Sequence, residues 1–262
     1  MTSVPTLRAI PVLAFHAIGA GRGPLWTPTD TFARMVDAAL SAGFTPVRAQ
    51  TVAEIVRGEM SDASATLGNP IAITFDDGYT SVLEQALPIL ASRRIPATLF
   101  AVTGAIHGVN DWDRPGQFGG GLPLLDRHGL GTLAEAGWEI GLHTHTHRRL
   151  CDVAADAVVS EFERGQETLA TFGHRATTVA YPYGDSDEVS RSVVRTMFVG
   201  GFGIGARFAS VTDDPARIER IESWYLRRPS MVRRLNGPSG RAYVSLRREL
   251  RSVGRWARRR DG

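Results

Sequence analysis

The chain has 262 residues, 43% hydrophobic and 22% charged, with a formal net charge of +3. That length and apolar content support a large buried core and suit a single α/β barrel. One cysteine, Cys151, excludes a disulfide scaffold. The apolar stretch 10–18 is too short for a membrane span and is interrupted by His16, so neither a signal peptide nor a transmembrane segment is expected.

Residues 11–16 read as the first strand, with His16 at its C-terminal end. A Gly/Pro-rich loop over 19–28 carries Trp26. A helix capped by Thr29 or Asp30 follows, with Phe32, Met35, Val36, Ala39 and Leu40 on one face and a stop near Gly43. Residues 45–48 suggest a short strand weakened by Pro46, residues 52–56 a short helix, and 61–69 a polar loop. Residues 71–75 are apolar and β-branched, a buried strand that ends on Asp76-Asp77-Gly78. Leu83, Ala86, Leu87 and Leu90 then fall at helical spacing, and a further strand runs from 95 to about 102. The loop 104–122 is long for a compact domain and holds Asp111-Trp112-Asp113. Its Trp either stacks on a sugar ring or folds back onto the barrel.

A short helix over 133–136 leads into a strand over 138–142, which runs into His143-Thr144-His145-Thr146-His147. Val158, Phe162, Leu169 and Phe172 mark a long helix ended by Gly173; a strand over 178–181, a helix over 189–197 and short strands over 202–206 and 218–221 complete the series. Alternating strands and helices imply a parallel sheet, and about seven strands imply an α/β barrel.

Two stretches carry chemistry. Adjacent Asp76 and Asp77 at a strand end repel each other, so one holds a cation or keeps a proton; the alternative is a strand-to-helix turn with a capping Asp. A helical turn after residue 142 puts His143 and His147 on one face and His145 elsewhere. Two imidazoles and a carboxylate make a three-ligand metal site with an open position, although a His-rich run can also be a solvated turn.

Thr74-Phe75-Asp76-Asp77-Gly78 resembles the first signature of the NodB-type polysaccharide deacetylases (carbohydrate esterase family 4). The run from Glu139 to His147 resembles the second, Ala180-Tyr181-Pro182-Tyr183-Gly184 the third, and Ile95-Pro96-Ala97-Thr98-Leu99-Phe100 the strand after the first. Phe15-His16 is similar to the Tyr-His element opening the branch that deacetylates poly-N-acetylglucosamine. The resemblance implies a distorted seven-stranded (β/α)7 barrel over residues 1–229. It implies a divalent metal, zinc by its donors, on Asp77, His143 and His147. Asp76 is then the general base, His16 the proton donor to the leaving amine, and the Tyr183 backbone N–H an oxyanion donor. Trp112, Asp113 and Pro182 are candidates for substrate contact. One departure stands out: Ala180 occupies the place of the usual Arg that orients the catalytic Asp, so another group must take that role. The activity implied is N-deacetylation of N-acetylhexosamine units. O-acetyl sugar esterase, non-sugar amidohydrolase and a non-catalytic glycan-binding barrel are the alternatives.

Residues 230–262 differ in composition: ten Arg and two acidic residues give +8, against −5 for residues 1–229. All basic residues in the chain are Arg. Tyr243, Leu246, Leu250, Val253 and Ala257 fall at helical spacing, with Trp256 nearby and Arg on other faces. This tail reads as a basic amphipathic helix for an anionic membrane surface; docking on a partner, on an acidic polymer or on the barrel itself are the alternatives, and no nucleic-acid-binding motif accompanies the charge. The expected location is cytoplasmic, at the inner membrane face if the tail binds there.

Overall fold

Among the described residues, ten short strands are interspersed with helices along the chain. The computed structural model describes residues 9–60, 66–113 and 120–258, with residues 251–258 as backbone only. The strands are β1 (Val12–Phe15), β2 (Ala17–Ile18), β3 (Trp26–Thr27), β4 (Thr45–Val47), β5 (Pro70–Phe75), β6 (Thr98–Ala101), β7 (Glu139–Leu142), β8 (Thr178–Ala180), β9 (Gly200–Ile204) and β10 (Ile218–Glu222). Seven of them close a parallel barrel in the order β1-β10-β9-β8-β7-β6-β5, with β5 returning to β1. β4 is an additional strand. Ala72 pairs with Val12 on one side and Val47 on the other, while Thr74 pairs with Ala14 and Thr98. β4 therefore wedges between the lower half of β5 and β6, which distorts the barrel. β2 and β3 form a separate parallel pair that the sequence pattern did not show.

The ladder registers carry one side-chain parity around the whole ring. Val12, Ala72, Phe100, Ala180, Phe202 and Ile218 fill the barrel interior as one apolar cluster. The alternate residues, such as Leu13, Phe75, Leu99, Leu142 and Ile221, join a second cluster with the surrounding helices. There Phe75 stacks on Trp138 at 5.2 Å and Phe15 meets Phe32 edge-on at 5.1 Å. Strands buried on both faces read as continuous apolar runs, which is why they were legible in the sequence.

The helical layer comprises α1 (Thr29–Ser41), α2 (Ala49–Val56), α3 (Leu87–Ala91), α4 (Arg127–Glu135), α5 (Ala155–Ala170), α6 (Glu188–Met197), α7 (Pro229–Arg234) and α8 (Pro238–Arg258). α1 starts after Pro28 with no side-chain cap, so neither Thr29 nor Asp30 serves as its N-cap. α3 is preceded by a π-helical turn, Val82–Ala86. Pro88 lacks an N–H, and a locally wider turn tolerates that loss. Beneath the barrel, the Ala49 N–H donates to Thr98 Oγ1 at 2.8 Å and the Gln50 N–H to Glu139 Oε2 at 2.9 Å. These bonds tie the start of α2 across the bottom of the ring. The composition break at residue 230 falls inside α7, where Val232 is fully buried in the outer core.

Candidate active site

The ends of the parallel strands bring the two sequence stretches together. The backbone N–H of Asp76 donates to Phe15 O at 2.9 Å, which holds the end of β5 against the end of β1. Asp77 adopts a left-handed backbone with φ of 72°. Its Oδ1 lies 3.5 Å from His143 Nε2 and 3.3 Å from His147 Nε2. One donor atom from each of the three residues lies within 4.8 Å of the others, and all three residues are buried.

The expected helical turn after β7 is not formed. Residues 143–147 are a loop in which Thr144 and His147 have φ of 62° and 56°. His143 and His147 converge because the loop is held from outside. Glu161, on α5 and 7% exposed, accepts from the His145 and Thr146 backbone N–H groups at 2.9 and 2.8 Å and from Thr146 Oγ1 at 2.5 Å. The His147 N–H donates to Thr144 Oγ1 at 3.0 Å. His143 Nδ1–H donates to Ala180 O at 2.8 Å, which turns Nε2 toward Asp77. Burial lowers the His143 pKa to about 4, so this imidazole is neutral at physiological pH. His145 points away and bonds Thr103 Oγ1 through Nδ1 at 3.0 Å.

The group that replaces the missing Arg at position 180 is Arg220. It lies on β10, is fully buried, and grips Asp76 with two bonds of 2.6 and 2.8 Å. It also bonds Thr74 Oγ1 and Gly203 O, at 3.1 and 3.2 Å. Burial pushes the Asp76 carboxyl up, but Arg220 and His143 bring it below the ordinary carboxylate value. Ala180 lies in the barrel interior with Phe100 and Phe202, and the Arg220 guanidinium lies 5.3 Å from the Phe100 ring.

His16 Nε2 lies 3.9 Å from Asp76 Oδ2 at the mouth of β1. Burial alone would lower its pKa; Glu222, Asp77 and Asp76 outweigh burial and hold it above the ordinary histidine value. Sequence reading missed Glu222 together with Arg220. In Arg217-Ile218-Glu219-Arg220-Ile221-Glu222, the isoleucines are three apart, so strict alternation could not say which charges face inward.

Trp112 stacks on the His147 ring at 4.3 Å and 23°, half-buried, and so folds back onto the site while still lining the cleft. Asp113 Oδ2 accepts from buried Asn110 at 3.0 Å; burial and Asp77 raise its pKa. Tyr183 has φ of 61° and ψ of 4°, and its ring meets His147 edge-on at 4.9 Å. The Arg149 guanidinium covers that ring at 4.4 Å. Pro182 does not line the cleft as expected; it is buried in the turn before Tyr183. The cleft itself holds about 270 Å³ and is also lined by Leu25, Trp224 and Tyr225. Four of the seven non-glycine residues with positive φ among the described residues (Asp77, Thr144, His147 and Tyr183) sit here, and such strain concentrates where function fixes the backbone.

Known proteins share this architecture. The family model described as polysaccharide deacetylase matches residues 63–199. YxkH of Bacillus subtilis (strain 168), which carries a polysaccharide deacetylase name, is 23% identical over 238 residues, 90% of this chain and 76% of that one. The poly-β-1,6-N-acetyl-D-glucosamine N-deacetylase of Staphylococcus aureus (strain MSSA476) is 26% identical over 160 residues, 57% of this chain. This chain spans about half the length of that relative, 52%. The solved structure of IcaB from Ammonifex degensii superposes with a TM-score of 0.72 at 22% identity, covering 87% of this chain and 98% of that one. The Streptococcus pyogenes deacetylase PplD, solved with acetate, gives 0.69 at 20% identity over 83% and 93%. The family match takes in just over half of the 262 residues, and the chain belongs to the polysaccharide deacetylases, with the NodB-type barrel of that family.

Proposed function

We propose that the chain removes acetyl groups from the nitrogen of N-acetylhexosamine units in a polysaccharide, with the aid of a divalent ion. The observation that carries this reading is the opposite treatment of two adjacent carboxylates. Asp76 is saturated by Arg220 and aimed by it. Asp77 presents a buried Oδ1 with no hydrogen-bond partner to two imidazole nitrogens. An orphaned buried oxygen is costly unless something else satisfies it. Two imidazoles and one carboxylate form a donor set that suits zinc.

An ion held by Asp77, His143 and His147 supplies Lewis-acid polarisation of the acetyl carbonyl and a water of lowered pKa. The remaining work falls to the chain itself. Asp76, kept ionised and oriented by Arg220, accepts a proton from the attacking water. A carbon–oxygen bond forms at the acetyl carbon, and the backbone N–H of Tyr183 donates to the oxyanion that develops. His16 then gives a proton to the amine nitrogen, and the carbon–nitrogen bond breaks to leave acetate and a free amine. The charges around His16 favour its protonated form, which an amine leaving group needs more than an alkoxide does. Trp112 and Asp113 contact the sugar from the cleft wall. All of these residues lie within 1–229, the proposed catalytic unit.

The staphylococcal relative's name makes poly-β-1,6-N-acetyl-D-glucosamine the first polymer to test. Acetate and free amine should appear in equal amounts, stop on chelation and return with zinc. Asp76→Asn should keep the metal and lose at least about 10²-fold in turnover. Acetate released without amine from an O-acetylated sugar would establish esterase chemistry instead, and no release from any acetylated glycan would leave only a binding barrel.

A further inference from the structure

We propose that the outer face of α8 docks this chain on an anionic membrane surface and thereby fixes the orientation of the cleft relative to that surface. Charge in the chain is segregated, +8 over residues 230–262 against −5 over residues 1–229. Arg228, Arg233, Arg234, Arg241 and Arg248 are all exposed. The one acidic residue between 223 and 258 is Glu249, which Arg248 meets at 3.1 Å.

The helix is fastened to the barrel at its start. Val244 is 2% exposed, and the Tyr243 hydroxyl donates to Tyr225 O at 2.8 Å. The Arg247 guanidinium lies over the Tyr225 ring at 5.1 Å and the Tyr243 ring at 5.3 Å. Leu246 and Leu250, each 56% exposed, share a face at i and i+4. That face lies about 120–160° around the helix from Val244, by the helical repeat. Val253 and Ala257 continue the spacing in the sequence; with Trp256, their side chains lie outside the described residues.

Arginines alone suit any polyanion. A bilayer is set apart because it offers an anionic surface over an apolar layer, which suits an amphipathic helix whose Arg241 and Arg248 lie about 140–180° around from Leu246 and Leu250 by the same repeat. Each Arg near an anionic surface strengthens partition by about fivefold. Tyr225 lines the catalytic cleft, so a surface bound by α8 stands at a fixed offset from the cleft mouth.

The test is cosedimentation of the full chain with phosphatidylglycerol-containing vesicles and with phosphatidylcholine vesicles. Binding is expected to the first and not the second, falling as salt rises. A Leu246→Ser/Leu250→Ser variant should lose about tenfold or more in partition, from the lost apolar burial. It should keep its helicity, its turnover of a soluble acetylated oligosaccharide and its binding to a soluble polyphosphate. Arg241→Gln/Arg248→Gln should weaken both vesicle and polyphosphate binding. Equal vesicle binding by the leucine variant and its parent would overturn the dock in favour of a polyanion site. Failure of the parent to bind vesicles would overturn it too, and self-association abolished by the same leucine changes would assign the face to a second copy of the chain.

Discussion

At the scale of single residues, the site turns on a relocated arginine. In the family pattern the residue that orients the catalytic carboxylate precedes the Pro-Tyr-Gly turn; here that position is Ala180, and β10 supplies Arg220. The consequence is testable because charge and geometry can be separated. Arg220→Lys keeps a cation but cannot form the two parallel bonds that fix the carboxylate plane. It should fold, bind metal as the parent does, and lose roughly 10²-fold in kcat, the scale of a small misplacement of a reacting group. Arg220→Ala should also lose about 3–5 kcal/mol of stability by leaving Asp76 buried and unpaired. Denaturant unfolding and turnover measured on the same samples check both expectations; full kcat in the lysine variant would show that Asp76 needs only a nearby charge. Asp77, His143 and His147, which the fold gathers within 4.8 Å, were legible in the sequence because their residue types are chemically specific. Arg220 was not, because nothing in an Ile-Glu-Arg-Ile-Glu run says which charge faces into the barrel.

At the scale of elements, the histidine loop depends on a helix that contributes no ligand. α5 places Glu161 under residues 145 and 146, where one carboxylate accepts three hydrogen bonds. The helical turn expected from the sequence would have aligned His143 and His147 by local periodicity. The loop aligns them by a contact 15 residues away in the chain, between Thr146 and Glu161, and pays for two left-handed backbones. Glu161→Gln keeps the shape but turns an NH2 toward one of the donors. It should lower metal affinity by roughly 10–100-fold, the range for groups that support ligands from behind, in a competition titration against a chelator. Unchanged affinity would mean that the loop holds its shape without this anchor. The same scale explains why the helix expected over 133–136 begins six residues earlier, at Arg127, and why the helical spacing over 83–90 starts as a π-helical turn. The apolar spacing marked their faces, but the Asp126 cap and the Pro88 interruption set their ends.

At the scale of the whole molecule, the barrel is open to chemistry at one end and sealed at the other. Glu139 faces the lower interior, where Thr98, Thr178 and the Gln50 N–H donate to it. Burial raises its pKa above the ordinary glutamate value despite those bonds. The folded state therefore holds the Glu139 proton more tightly than the unfolded chain does. Its contribution to stability is complete below the unfolded pKa, about 4.5, and is lost as pH rises through the folded pKa. Glu139→Gln should remove that slope, so the parent's stability should fall relative to the variant's as pH rises above about 4.5. Urea unfolding across pH checks this, and a constant difference between the two proteins would contradict it. By itself the sequence determined the parallel α/β class, a barrel of about seven strands, and the strand ends that carry Asp76, Asp77 and His143, and it singled out Asp77, His143 and His147, which the fold brings together, because burial on both faces and side-chain chemistry leave marks in residue type and spacing. Only the tertiary structure decided that β4 wedges beside the seven-stranded ring, that Arg220 rather than a neighbour of Tyr181 holds Asp76, and that Glu161 shapes the histidine loop. Those outcomes depend on which strands lie side by side and in what register, and local periodicity does not encode either.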